Sequence, residues 1–171
     1  MQTICLTQQA NMIHYESGDG RSLQRVAPLW RKLRAYHVRR ASAFATEIAA
    51  TPFSLRAQAL LAKSGEERLR VDVARDSTNH TDIGYCISSV DSNGQGEIDS
   101  LFVDRRYRGR NIGESLVRRA LAWLRKKRVS RIVVGVVTGN EETFAFYSRF
   151  GFKPRATLLA RPKRRRKRHV R

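Results

Sequence analysis

Residues 101–121 read LFVDRRYRGRNIGESLVRRAL. An apolar run ends at Val103 and a basic loop follows, with glycines at Gly109 and Gly113. From there Ile112, Leu116, Ala120, Trp123 and Leu124 fall at helical spacing, with Val117 and Leu121 beside them. Strand, glycine loop and helix thus follow one another without a break. Glycine adopts positive φ at no steric cost and admits another molecule close to the main chain. The first turn of a helix adds unpaired N–H groups and about half a positive charge. Together they make a site for phosphate. The dinucleotide fingerprint GxGxxG and the lysine-bearing P-loop are both absent, so the stretch implies an anion site without naming its ligand.

Working outward, LRVDVAR (69–75), DIGYCISSV (82–90) and EIDSLFV (97–103) read as strands. The turn signal DSNGQG joins the last two, so residues 82–103 are expected to form an antiparallel hairpin. Further upstream, Leu23, Val26, Leu29, Trp30, Leu33 and His37 share one face of an amphipathic helix. Pro52 is placed to open a second, because its missing N–H would be unpaired in a first turn anyway. Downstream, RIVVGVVT (131–138) is a nearly continuous β-branched run, as expected of a strand covered on both faces. NEETFAFYSRFGFKP (140–154) predicts a last helix, with Asn140 as N-cap, two glutamates in the positive first turn, Gly151 at the left-handed C-cap and Pro154 as a stop. The expected order is an N-terminal helical pair and then β-β-β-α-β-α-β, an α/β domain around one mixed, mostly antiparallel central sheet flanked by helices.

Composition bounds the rest. A chain of 171 residues, 41% hydrophobic, buries one good core and is short for two. No stretch approaches a membrane span and no signal peptide is evident, so a cytoplasmic location without membrane contact is expected. Cys5 and Cys86 lie far apart with no metal-type spacing, which predicts reduced thiols and no metal site. The formal charge is +19. Residues 161–171, RPKRRRKRHVR, supply eight of the cations and no acid, yet the preceding 160 residues still carry +11. Such a balance implies polyanionic partners: a phosphate-rich cofactor, nucleic acid or an acidic protein. The block from 162 to 171 repels itself and is expected to be a disordered tail with nonspecific nucleic-acid contact, following a single domain over 1–161.

Two stretches, LFVDRRYRGRNIGESLVRRAL and GNEETFAFYSRFGF, resemble the GNAT family of N-acetyltransferases. The family's cofactor loop has Arg or Gln, two free positions, Gly, one free position, then Gly or Ala, and its last helix carries N-x-x-A-x-x-F-Y-x-x-x-G-F. Arg108 opens the loop here, followed by Gly109, Arg110, Asn111, Ile112 and Gly113. Asn111 stands where the family has glycine, and asparagine tolerates the left-handed region better than other side chains. Thr143 stands where alanine is typical. The likeness covers residues 82–153, and the helical pair more loosely.

The resemblance implies transfer of the acetyl group of acetyl-CoA to a primary amine, directly in a ternary complex, by a monomer or homodimer. Holding the reactants at near-attack distance can contribute about 7–11 kcal/mol. It implies that main-chain groups of Leu101, Phe102 and Val103 serve the thioester and its oxyanion. Asn140 would contact the pantetheine arm as well as capping its helix. Tyr147 would protonate the departing thiolate, although it also reads as one of several aromatics packing the last helix. Glu97 falls where the histone-acetylating branch places its base. In a regular strand Glu97, Asp99, Leu101 and Val103 share a face; a bulge would spoil that parity and makes Asp99 a second candidate. His37 reads as a core or surface residue of its helix, and His14, His80 and His169 show no partner pattern. The amine acceptor is expected to meet the helical pair and RRASAFATEIAATPF (39–53), where Arg39 and Arg40 would disfavour a polycation. The competing reading is a coenzyme-A fold working mainly as a basic nucleic-acid-binding module.

Overall fold

Alternating apolar side chains build a five-stranded sheet from β1 (Ile13–Gly18), β2 (Leu69–Asp76), β3 (Thr81–Val90), β4 (Gln95–Val103) and β5 (Arg131–Val134), ordered across the sheet as in the chain. The computed structural model describes residues 12–162; Cys5, His169 and nearly all of the expected tail lie outside the described residues. All neighbours run antiparallel except β5, which is parallel to β4. The 82–103 hairpin is as expected, with Gly94 at positive φ in its turn. The helices are α1 (Ala27–Arg40), α2 (Ala45–Ala50), α3 (Phe53–Ser64), α4 (Ile112–Lys126) and α5 (Thr143–Ser148).

Two apolar layers sandwich the sheet. On one face Leu23, Val26, Leu29, Trp30, Phe53 and Leu60, from α1, α3 and the 3₁₀ turn before α1, pack on Val71, Val73, Tyr85, Ile87 and Phe102. On the other, the stripe of α4 predicted from its spacing packs on Ala74, Ile83, Cys86, Val90 and Ile98, with Tyr147 beside it. Leu60, Leu116 and Leu124 are fully enclosed, each worth about 1.5–3 kcal/mol of burial.

Several expectations are corrected. Among the described residues β1 is an edge strand that its short pattern did not signal, and α2 lies within 39–53, for which no helix was expected before Pro52. The first expected helix begins only at Ala27, the turn from Gly20 to Val26 being 3₁₀. β5 has four residues, exposed or half-buried, because helices cover it incompletely, and no strand follows α5 among the described residues. α5 starts at Thr143 without a side-chain cap. The Asn140 carbonyl, not its side chain, accepts the Thr143 N–H (3.1 Å).

The feature that shapes the site lies in β4. Ile87 faces Ser100 while Ser88 faces Ile98, so Asp99 is an extra residue on the β4 side. Such a bulge reverses the alternation beyond it. Ile98 therefore packs under α4 and Phe102 under α1 and α3, although an unbroken strand would put them on one face. β5 pairs with β4 only from Gln95 to Ile98. From Asp99 onward no strand lies beside β4 on that side among the described residues, and a cleft opens. The segment after β5 is clamped to α1. Arg40 donates to the Gly139 carbonyl (3.2 Å) and to Glu142 (3.0 Å), and the Tyr36 hydroxyl donates to Glu142 (2.6 Å). Gly139 has φ +86°, and a Cβ there would lie 2.6 Å from the Arg40 carbonyl oxygen. Gly139→Ala is expected to destabilise the fold by more than about 1 kcal/mol, lowering Tm by about 2–4 °C or more in a thermal melt.

Candidate active site

The outer part of the cleft is a cavity of about 360 Å³. Leu101, Phe102 and Val103 of β4 form one wall; Asn140, Thr143 and Phe146 form the other; Arg108, Gly109, Asn111, Ile112 and Gly113 close its mouth. Arg110 of the same loop turns aside, its guanidinium 5.3 Å from the Tyr107 ring. Gly109 has φ +77° and Asn111 φ 58°, ψ 11°. Asparagine thus takes the left-handed position where a glycine was the family habit, at the small cost its short polar side chain allows. Its side chain makes no cap, so the first N–H groups of α4 are left for a ligand. Arg108 donates to the Val103 carbonyl (3.1 Å) and lies over Tyr36 and Phe102, tying the loop to the strand end. Glu114, an acid in the first turn of α4 that lines the cavity, is paired with Arg118 (2.8 Å) and Arg149, which hold its carboxyl below the ordinary range. A Cβ on Gly113 would sit 3.6 Å from Phe146 and 3.7 Å from Val103. Open amides, a left-handed turn and a narrow apolar channel behind them fit a pyrophosphate followed by a slender arm.

At its inner end the cleft continues into a cavity of about 150 Å³, sharing Leu33, Leu101, Asn140, Thr143 and Phe146 with the first. Its further lining includes His37, Asp99, Ser100 and Tyr147. Tyr147 is buried, edge-on to Phe146 (5.2 Å) and Phe152 (5.8 Å). Among the described residues its hydroxyl has no hydrogen-bond partner, and burial pushes the phenol pKa up, so it is protonated at neutral pH. Asn140 reaches the same space, with Oδ1 3.3 Å from the Tyr36 hydroxyl.

The carboxylates are placed differently. Lys63 of α3 donates to both Glu97 (2.6 Å) and Asp99 (2.9 Å). Glu97 is not part of the inner cavity. The Asp99 side chain, 2% exposed, also accepts from Ser89 (2.6 Å), with Arg56 at 3.8 Å. Burial pushes its carboxyl up even though Ser89 and Lys63 pull it down. Glu97 and Asp99 thus face α3, while Leu101 and Val103 pack on the α4 side; the bulge overturns the shared face of a regular strand. Lys63, thirty-four residues away from Glu97 in the chain, left no trace in local pattern. His37 did: it follows Leu33 by one helical turn on the face turned to the sheet. Cys86 is wholly buried and burial raises its pKa to about 12, an inert thiol. Among the described residues no cluster of three or more His, Cys, Asp or Glu is placed to hold a metal, and no helix is long and apolar enough to cross a membrane.

Residues 35–152 match the Acetyltransferase (GNAT) family. The chain belongs to that family. An uncharacterized N-acetyltransferase of Methanocaldococcus jannaschii is 35% identical over 74 residues, 42% of this chain and 32% of that protein, so the match spans about a third of the relative's length. A Pyrococcus furiosus protein assigned as an acetyl transferase superposes with a TM-score of 0.67 at 22% identity, over 88% of this chain and 100% of that one. An aminoglycoside N-acetyltransferase solved with coenzyme A gives 0.65 at 16% identity, over 93% and 99%. The ribosomal-protein-alanine N-acetyltransferase of Brucella melitensis gives 0.62 at 17%, over 88% and 99%. At such identities these structures share the GNAT fold with this chain and nothing finer.

The Lys63 bridge generates a signed expectation. Lys63→Ala leaves the buried Asp99 carboxylate short of its nearest cation, which is expected to cost about 1–3 kcal/mol at neutral pH. Loss of the lysine raises the Asp99 pKa further, and below that value the protonated acid needs no cation. The stability gap between variant and parent, measured by urea melts, is therefore expected to narrow as pH falls.

Proposed function

We propose that this GNAT enzyme moves the acetyl group of acetyl-CoA to a primary amine by direct transfer in a ternary complex. The observation that carries the reading is the continuity of an uncapped helix N-terminus, an unpaired strand edge and a small polar-tipped cavity along one cleft. In this reading Gly109, Asn111, Ile112 and Gly113 receive the pyrophosphate on their main chain, with Arg108 and Arg110 adding charge. The arm of the cosubstrate runs between Leu101–Val103 and Asn140, against the free edge of β4. A main-chain N–H of that edge stabilises the oxyanion. Attack by the amine forms the C–N bond, the C–S bond breaks, and the Tyr147 hydroxyl gives its proton to the sulfur. Its raised pKa suits a donor that must stay protonated until the thiolate departs. Glu97 and Asp99, bridged by Lys63, fix the bulge that frees the β4 edge. The acceptor's amine approaches past α1 and the segment before α3.

Two substitutions test the reading. Gly113→Asp puts a carboxylate into the first turn of α4, where a negative charge suits the helix and opposes a bound phosphate. The melt is expected to be unchanged while titration calorimetry shows acetyl-CoA affinity lost; unaltered affinity would place the pyrophosphate elsewhere. Tyr147→Phe keeps the packing ring and removes only the hydroxyl. With an amine acceptor found by screening coenzyme A release, kcat is expected to fall about 10²-fold or more with little change in acetyl-CoA affinity. A variant turning over at the parent rate would reduce Tyr147 to a packing residue.

A further inference from the structure

We infer that His37 is the group that takes the proton from the attacking amine. This rests on the acetyl-transfer reading and deepens it. α1 brings His37 into the lining of the 150 Å³ inner cavity together with Tyr147, Asn140 and Leu101. An amine that meets a thioester seated along the β4 edge, coming from the side away from the Gly109–Gly113 loop, arrives in this space. Few ionisable groups face the imidazole there. From β4 comes Asp99, already engaged by Ser89 and Lys63 with Arg56 near; from α5 comes Tyr147; the stretch 134–137 brings none. On α1 itself the neighbouring ring is Tyr36, at 6.0 Å, whose hydroxyl is turned to Glu142.

Among the described residues the imidazole has no hydrogen-bond partner, so both its nitrogens are uncommitted. His37 is half-buried, and that burial alone holds its pKa below the ordinary 6.5, leaving a neutral base at pH 7. The carboxylates compete poorly. Glu97 lies outside the cavity, and Lys63 engages both it and Asp99.

The step balances. The ammonium gives one proton to an imidazole nitrogen, and the freed lone pair forms the C–N bond. The C–S bond breaks and the thiolate takes the Tyr147 proton. The new amide nitrogen sheds its second proton, which restores the phenol through solvent, and the imidazolium releases the first to bulk water. One proton leaves for each ammonium acylated.

The test compares the full chain with His37→Gln, His37→Ala and Glu97→Gln, using the best amine from the acceptor screen. For His37→Gln, kcat at neutral pH is expected to fall about 10²–10⁴-fold with acetyl-CoA affinity unchanged by calorimetry. The loss should shrink as alkaline pH deprotonates the acceptor unaided. The parent's kcat/KM should decline at acid pH as His37 takes up its proton below the ordinary 6.5, and the variant should lack that limb. Added imidazole should restore part of the rate to His37→Ala, which a merely structural histidine would not allow. Parental turnover by His37→Gln, or a loss equal at every pH with no imidazole rescue, overturns the inference, as does alkaline recovery seen in Glu97→Gln alone. Failure of the parent to release coenzyme A with any amine would instead sink the acetyl-transfer reading beneath it.

Discussion

One extra residue in β4 governs the molecule. Asp99 makes β4 longer than the β3 segment it pairs with, and the resulting bulge turns Phe102 toward α1 and α3 while Leu101 and Val103 turn toward α4. It also marks where β5 ceases to follow: pairing ends at Ile98 and Val134. A strand interior normally saturates its backbone on both sides. Here the β4 edge beyond the bulge is bordered by a cleft: Arg56 and Arg108 take the Asp99 and Val103 carbonyls, and among the described residues no strand pairs with the edge between them. The bulge is held chemically, since Asp99 is buried and gathers Ser89, Lys63 and Arg56 around its carboxylate. Removing that carboxylate's partners therefore bears on the site through the shape of the strand.

The far wall depends on a second arrangement. The segment between β5 and α5 carries Asn140 and would otherwise hang free. Tyr36 and Arg40 tie it to α1 through Glu142 and the Gly139 carbonyl, at a contact so close that only glycine fits. The glycine loop, the inner cavity and the cleft wall thus meet on α1, which also supplies His37. The same helix contributes to a basic concavity of about 640 Å³, where Lys32, Arg39, Arg40, Arg105, Arg106 and Arg108 outnumber Asp104 and Glu142. A field of this sign beside the loop draws polyanions toward the cleft, coenzyme A among them.

Much of this was legible in sequence. The 82–103 hairpin, the apolar stripe of α4 and the glycine loop rest on local patterns of five to fifteen residues, where periodicity speaks clearly. The left-handed turn at Asn111 followed from side-chain chemistry. What escaped was non-local or short. Among the described residues β1 pairs only with β2, and it has six residues of mixed exposure; α2 is also six residues long. Asn140 looked like a cap because it precedes two glutamates, yet Tyr36, over a hundred positions away, contacts its side chain. The helical spacing showed the face on which His37 lies, but the Lys63 bridge and the cavity that this face meets depend on how α1 and α3 dock on the sheet, which no local pattern encodes.

The central claim is that the cleft opened by the Asp99 bulge receives acetyl-CoA along the β4 edge and the start of α4. Amide hydrogen exchange of the full chain with and without coenzyme A, read by mass spectrometry, tests it most directly. Slowed exchange at residues 101–103 and 111–115, with the β1–β2 pair unaffected, is the expected result. Protection confined to the basic concavity around Arg105 and Arg106, or no protection at either stretch, would contradict it.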